Sequence, residues 1–255
     1  MVYTICYAFV FLAEILISLF YFENKFERKS SKKFLLFSVV IVYVLLYLSR
    51  LLNLTLVNLI AFFACNFFLL YFCYFISIKS CIFHCSILLI FMAITESIVL
   101  FVSTVLFGTD FFTSLDNSLS LIIQATISKL LYFLIIYFVS KFSIKEHKSE
   151  SYSLSIPLLV LPASSILLLY AVSHALHNFD LEQKYIYLLI ISMVLLLFSN
   201  IAVFGVYEFT LKTQRHNMKL EYERQKEKST AEYYDLLNEQ NENSKIVMHD
   251  IKRHL

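Results

Sequence analysis

The sequence predicts an all-α protein, in which a membrane domain of about seven helical spans is followed by a long polar helix. Three observations predict this fold. Hydrophobic residues make up 59% of the 255 residues and charged residues only 16%, whereas globular domains carry about 25% charged residues. The apolar residues form runs of about 20, the length that crosses a bilayer as a helix. Residues 208–255 hold 9 of the 21 Lys and Arg and 9 of the 19 Asp and Glu.

These patterns divide the chain into a transmembrane domain, residues 1–207, and a cytoplasmic helix, residues 208–255. The first predicted span has no basic residue before it and no small-residue cleavage site, so it is interpreted as a retained helix. The third and fourth spans are separated by little more than Lys79 and Ser80, and the second is short, so a count of six stays open. The predicted spans are 2–22, 34–50, 55–77, 83–107, 120–140, 154–174 and 185–207.

Basic residues in the loops predict the orientation. The loop 23–33, Lys79 and the loop after the fifth span together carry nine Lys and Arg, whereas the alternate loops carry only Arg50 and Lys184. Because cytoplasmic loops are enriched in Lys and Arg, the N-terminus is predicted to lie outside. Seven spans then place residues 208–255 in the cytoplasm, and the lipid bilayer is the first expected partner.

Composition also excludes several classes of function. The chain has two glycines, Gly108 and Gly205, which excludes a Gly-rich phosphate loop. The net charge of +2 gives no indication of a nucleic-acid partner, and none is predicted. The cysteines lie within or beside apolar runs, so a disulfide framework is not expected. Cys81, His84 and Cys85 share a helical face that is either a packing face or part of a metal site; since no fourth ligand is visible, no metal is predicted.

Glu14, Glu96 and Lys129 are ionisable residues deep inside predicted spans. Each costs about 2.5–3.5 kcal/mol on insertion scales unless it faces a partner or water. Counted from the outer ends of adjacent spans, Glu96 and Lys129 differ in depth by roughly 3 Å, so antiparallel helices can bring them together. An ion pair that fixes packing, the polar floor of an external ligand site and a proton or ion path all stay open. Gln124 and Asn58 are expected to bond between helices or to contact a ligand.

Residues 208–255 are predicted to continue the last span as a helix, because no Pro or Gly follows Gly205. From Tyr207 to His249 such a helix extends about 63 Å at about 1.5 Å per residue. A partly polar seam at coiled-coil spacing predicts a weak homodimer. The seam runs through Tyr233, Leu237, Gln240, Ser244, Val247, Ile251 and His254.

The last eleven residues carry the motif with the most chemical content, Lys245-Ile-Val-Met-His-Asp-Ile-Lys-Arg-His-Leu255. Asp250 follows His249 directly, and Arg253 lies one helical turn further on. A neutral imidazole beside a carboxylate suits a phosphoryl acceptor, because the acid orients the ring or takes its proton. An ordinary solvated histidine is the alternative interpretation.

The apolar domain, the polar helix and the terminal His-Asp-Ile-Lys-x-His-Leu together resemble the sensor histidine kinases of Gram-positive bacteria with a GHKL-type ATPase domain, in particular AgrC-like peptide-pheromone receptors. The resemblance implies that His249 is the phosphorylated residue and Asp250 the adjacent acid. The family often has Asn where Arg253 stands. The resemblance also implies a bacterial cytoplasmic membrane protein that dimerises, receives an extracellular signal, for which a peptide is one candidate, and acts on a response regulator.

The chain stops six residues after His249, and the ATPase domain that would bind ATP and Mg²⁺ is absent from it. We therefore expect either the N-terminal part of a longer protein, which is the favoured interpretation, or a natural truncation. In both cases this chain has no cofactor and no kinase activity of its own. The alternative hypothesis is a small membrane transporter or scaffold with a coiled-coil tail. In that hypothesis Glu14, Glu96 and Lys129 form a translocation path, although no internal repeat is visible.

Overall fold

The computed structural model describes residues 2–52, 54–107, 117–142, 157–178 and 183–254. Within these ranges the chain is all-helical, which confirms the predicted fold class. No strand occurs among the described residues. The seven helices found there are α1 Val2–Lys25, α2 Lys32–Arg50, α3 Thr55–Cys73, α4 Ile78–Phe107, α5 Asn117–Phe142, α6 Pro157–Asn178 and α7 Gln183–His254.

Among the described helices, α1 to α5 and α7 are long and apolar enough to cross a membrane, by length and composition. In α6 the described apolar stretch, Val160–Leu169, is shorter than a crossing requires. Six candidate membrane spans are therefore present in the described part of the chain. A seventh span, at α6, stays a prediction.

The chain divides into two units, Met1–Glu208 and Phe209–Leu255. The first contains α1 to α6 and the apolar first part of α7. The second is helical as far as His254, and most of its side chains are exposed to solvent. The sequence places this boundary one residue earlier, where the density of charged residues rises.

Helix α4 is the most deeply buried helix of the first unit. It packs against α3, α5 and α6, and every side chain from Phe83 to Met92 is buried. Its sequence has little amphipathic character, as expected for a helix that other helices surround. Further along, α4 joins an apolar cluster with α6 and α7 that contains Ile90, Ile94, Phe101, Leu169 and Met193.

The α1–α2 and α3–α4 connections pair with each other at one end of the first unit. The backbone N–H groups of Lys29 and Ser30 both donate to the carbonyl of Cys73, at 2.8 and 3.2 Å. The N–H of Phe75 donates to the carbonyl of Glu27 at 3.0 Å. Backbone N–H and C=O groups that would be hydrogen-bonded within a continuing helix are instead hydrogen-bonded from one connection to the other.

This pairing moves the turn between the third and fourth helices. The sequence predicts the turn at Lys79 and Ser80, but α3 ends at Cys73 and α4 begins at Ile78, so Lys79 lies in the first turn of α4. That prediction was wrong because residues 74–76 are apolar and read as a continuing span. Their position is decided by hydrogen bonds to the α1–α2 connection, which composition does not reveal.

Candidate functional site

Three charged side chains from three helices meet inside the first unit. The Lys129 ammonium of α5 donates to the Glu14 carboxylate of α1, with 2.5 Å between Nζ and Oε1, and also to the Glu96 carboxylate of α4. The structure therefore contains the contact between Glu96 and Lys129 that the sequence predicts. The depth argument did not include Glu14, which the sequence grouped with them only in the transport hypothesis. We call these three residues the charge cluster.

Exposure differs sharply within the charge cluster. The Lys129 and Glu14 side chains are 9% and 5% exposed, whereas the Glu96 side chain is 45% exposed. Burying a charge is costly unless it is paired, and one ammonium serves both carboxylates. With both carboxylates ionised the cluster carries one excess negative charge. Its chemistry suits holding three helices together.

Two buried hydroxyls lie beside the charge cluster. Ser18 follows Glu14 by one turn of α1, and Tyr132 follows Lys129 by one turn of α5; both residues are fully buried. The two hydroxyls are neighbours, although neither forms a hydrogen bond of ordinary geometry with a described residue. Buried polar groups are normally satisfied, and these two hydroxyls are placed to satisfy each other.

The two predicted polar residues outside the charge cluster connect helices. The Gln124 amide of α5 donates to the Ser103 hydroxyl of α4 at 2.7 Å. The Ser49 hydroxyl of α2 donates to the Asn58 amide oxygen of α3 at 3.2 Å. These bonds are of the interhelical type that membrane helices use, and they do not bring either residue to the charge cluster.

A second polar network, centred on His84, was missed by sequence reasoning. This fully buried residue has the hydroxyl of Tyr21 2.7 Å from Nδ1 and the hydroxyl of Tyr207 3.3 Å from Nε2. Tyr207 also bonds to the Ser80 hydroxyl at 3.0 Å. The network joins α1, α4 and α7. The sequence placed His84 on one helical face with two cysteines, either for packing or in a metal site, and no signal pointed to tyrosines so distant in sequence.

Within the described ranges, no three His, Cys, Asp or Glu side chains are grouped so that they could hold a metal ion. The ring nitrogens of His84 are engaged by tyrosine hydroxyls, and Cys81 and Cys85 are buried free thiols. The geometry around these three residues is therefore that of a packed core rather than that of an open ligand set.

A buried salt bridge lies close to the His84 network. Lys25, at the end of α1, donates to the carboxylate of Glu208 in α7, and its ammonium is 5.6 Å from the centre of the Tyr207 ring. The Lys25 and Glu208 side chains are 0% and 8% exposed. This part of α7 is thus attached to α1 by charge as well as by packing.

A carboxylate also organises the paired connections. The Glu23 carboxylate accepts from Arg28 Nη2 at 2.6 Å and from the Tyr74 hydroxyl at 2.8 Å. The bond to Glu23 raises the pKa of Arg28. Burial, and then the hydrogen bond to Glu23, raise the pKa of Tyr74 well above its usual range.

His249, Asp250 and Arg253 lie in the last part of α7, in the second unit. Their backbone is helical, so Arg253 follows His249 by one turn. Their side chains lie outside the part of the chain that the structure describes. The charge cluster lies in the first unit, and the His249 motif lies in the second. No protein-family model, curated protein or solved structure matches the chain.

Proposed function

We propose that this chain is the membrane sensor part of a two-component histidine kinase. Seven spans with the N-terminus outside receive an extracellular signal, and α7 relays it to His249 in a cytoplasmic, dimerising segment. The observation that carries the proposal is α7 itself. One helix, Gln183–His254, contains both a stretch apolar enough to cross a membrane and the His249-Asp250 pair.

The attachment of α7 to the other helices supports a relay. Within the first unit, α7 contacts α1 through the salt bridge between Lys25 and Glu208, and contacts α4 through the hydrogen bond between His84 and Tyr207. A signal that changes the packing of α1 or α4 changes the position that α7 prefers. A ligand shifts such an equilibrium by its difference in affinity for the two packings.

His249 supplies the chemistry in this proposal. A neutral imidazole nitrogen attacks the γ-phosphorus of ATP, an N–P bond forms, and the P–O bond to the departing ADP breaks. Asp250 orients the imidazole and takes the proton from its other nitrogen. An ATPase domain outside this chain holds ATP and Mg²⁺, and catalysis is chiefly positioning. The phosphoryl group then passes to an aspartate of a response regulator.

The test uses the complete reading frame that contains this chain, expressed in membranes and incubated with γ-labelled ATP. We expect an acid-labile label on the wild type and its loss in His249→Gln. His216→Gln, in the same helix but outside the motif and the predicted seam, is the matched control that keeps the label. Wild-type labelling of His249→Gln, or an unlabelled wild type, contradicts the proposal.

The charge cluster favours a second candidate, a small transporter that moves protons or ions past Glu14, Glu96 and Lys129. Intramembrane ionisable residues often mark such paths. Proteoliposomes separate the two candidates. A transporter gives proton or ion uptake that Glu14→Gln abolishes, whereas the sensor gives no uptake above that of empty vesicles.

A further inference from the structure

Within the first unit, one face of α7 is exposed as a single narrow line. Its positions follow a repeat of three and four residues, and between its two ends Ser199 is the one exposed position outside the repeat. The four large side chains of the line are between 61% and 65% exposed. We call this line the α7 stripe. It consists of Leu188, Ile191, Leu195, Phe198, Ala202 and Gly205.

The α7 stripe is narrower than the exposed faces of α2 and α5. On those two helices the exposed apolar residues come in adjacent pairs, which make a broad face of the kind that lipid tails cover. The pairs include Leu36 with Phe37, Val40 with Ile41, Ile122 with Ile123, and Phe133 with Leu134. A strict line at alternating steps of three and four is instead the seam along which two helices pair.

The spacing of the α7 stripe continues in the sequence of the same helix. Counted onward from Gly205 in alternating steps of four and three, the positions reach Tyr233 and Leu237 with no break in the alternation. These two residues begin the seam through which the polar segment is predicted to dimerise. Narrow exposed lines also occur on α1 and α3, but these helices end at Lys25 and Cys73 and have no such continuation.

The predicted seam needs support from a second contact. Between residues 209 and 233 the positions of this count are all polar, namely Lys212, His216, Lys219, Glu223, Lys226 and Thr230. A contact in the membrane holds two copies side by side, and two linked contacts bind more tightly than either one alone. Because both copies have the same orientation in the bilayer, a two-fold axis brings each stripe against its own counterpart.

One end of the α7 stripe permits a close approach of two helices. A Cβ atom added at Gly205 meets no atom within 4 Å, and Ala202, about one turn earlier, is also small and exposed. Small residues let the backbones of membrane helices approach each other, and the gain is van der Waals packing between the helices. The larger side chains of Leu195 and Phe198 can then interlock beside this point.

We propose that the α7 stripe binds the α7 stripe of a second copy of this chain within the membrane. The interface is parallel and symmetric, with Ala202 and Gly205 at the closest approach of the two helices. It rests on the proposed function for the dimer seam that it extends, and it adds the membrane part of that dimer. The competing occupant of the stripe is lipid.

Oxidative crosslinking of cysteines in membranes tests this interface on the full chain. Leu195→Cys places a thiol on the stripe, and Val40→Cys places a matched thiol near the middle of α2, since the two native side chains are 63% and 58% exposed. The wild type is the blank, because its five cysteines are buried. We expect a disulfide-linked dimer of Leu195→Cys on a non-reducing gel and little dimer of the other two. Equal crosslinking of Leu195→Cys and Val40→Cys would overturn the proposal, because lipid would then cover both faces.

A cysteine scan of residues 194–206 identifies the face in contact. Crosslinking should be strong at the stripe positions Leu195, Phe198, Ala202 and Gly205 and weak at the positions between them. Maxima on another face of α7, or crosslinking without a helical period, would contradict the assigned stripe.

A change of side-chain size measures the strength of the contact. Gly205→Trp places a large group at the closest approach, and the space around Gly205 lets the single chain accept it. Thr126→Trp, at an exposed position of α5, is the control. Energy transfer between fluorescently labelled copies in phosphatidylcholine vesicles, measured as the protein is diluted with lipid, should show association weakened about tenfold in Gly205→Trp and unchanged in Thr126→Trp.

Unchanged association of a folded Gly205→Trp protein contradicts the interface. Should Gly205→Trp fail to fold, the cysteine scan decides alone. Leu237→Glu disrupts the seam of the polar segment, and crosslinking of Leu195→Cys should persist in that background. Loss of this crosslink would show that the stripe has no affinity of its own and would overturn the proposal.

These measurements are independent of phosphorylation. His249→Gln should leave crosslinking of Leu195→Cys unchanged, since His249 is not in the stripe. Equal crosslinking at residues 195 and 40, in a protein whose His249 is labelled by ATP, rejects the interface and retains the kinase. A crosslinked stripe in a protein without any labelling of His249 has the opposite meaning.

Discussion

Lys25 and Glu208 form a buried salt bridge between residues 183 positions apart in the chain. Lys25 ends α1, and Glu208 is the last residue of the first unit. The aromatic ring of Tyr207 lies beside the Lys25 ammonium. The salt bridge therefore attaches α7 to α1 at the last residue of the apolar first unit.

Breaking this salt bridge on one side should destabilise the protein strongly. Lys25→Met or Glu208→Gln leaves the partner poorly compensated in a buried position, which costs about 3–5 kcal/mol. The double variant Lys25→Met/Glu208→Leu should recover most of that loss, because it removes both charges. The free energy of unfolding in detergent micelles measures the effect. Lys228→Met is the control, since this side chain is 80% exposed, and it should change stability by less than about 0.5 kcal/mol.

Replacing different members of the charge cluster should reduce the stability of the protein by different amounts. Lys129→Met leaves two carboxylates together without a cation, and we expect a loss of about 3–5 kcal/mol. Glu96→Gln leaves a balanced pair of Lys129 and Glu14 and removes a half-exposed group, so its cost should stay below about 1 kcal/mol. The same unfolding measurement ranks the variants. A larger loss for Glu96→Gln than for Lys129→Met would contradict the assigned charges.

Tyr74 should make the stability of the protein sensitive to alkaline pH. Its pKa is raised in the folded state, so the folded protein keeps the phenol proton at pH values where the unfolded chain loses it. Stability from this group is fully present below about pH 10, the ordinary tyrosine pKa, and is lost as the pH rises further. Tyr74→Phe should be less stable than the wild type at neutral pH, because the hydrogen bond to Glu23 is gone. Between about pH 9 and about pH 11, however, it should lose less stability than the wild type does. An equal loss of stability in Tyr74→Phe and in the wild type over this pH range would contradict the prediction.

Cysteine accessibility tests the proposed orientation. The five native cysteines are buried and should give little background with a membrane-impermeant maleimide. Leu52→Cys lies between α2 and α3 at an exposed position, and intact cells should be labelled there. Lys33→Cys, at the other end of α2, should react only after permeabilisation. The reverse pattern would place the N-terminus in the cytoplasm.

Crosslinking tests the proposed homodimer. Gln240 lies on the predicted seam, whereas Glu242 lies two residues further, about 200° away around the helix. Oxidation in membranes should crosslink two copies of the Gln240→Cys protein and leave the Glu242→Cys protein monomeric on a non-reducing gel. Equal crosslinking at both positions would indicate random collision instead of a specific seam.

The sequence by itself determined the all-helical fold and six of the seven predicted membrane spans as candidates. This was possible because the thickness of a bilayer and the rise of an α-helix fix the length of an apolar run, wherever the run lies in the chain. The same depth argument predicted the contact between Glu96 and Lys129, since two groups at equal depth on neighbouring antiparallel helices can meet.

Only the tertiary structure decided which helices are neighbours and how each is rotated about its axis. Glu14 reaches Lys129 across 115 positions, and His84 lies between two tyrosines that belong to other helices. In α4, apolar side chains occupy all faces, so periodicity gives no rotation from which such contacts could be read. Helix neighbours and rotations are set by packing among distant segments, and the sequence of one segment does not encode them.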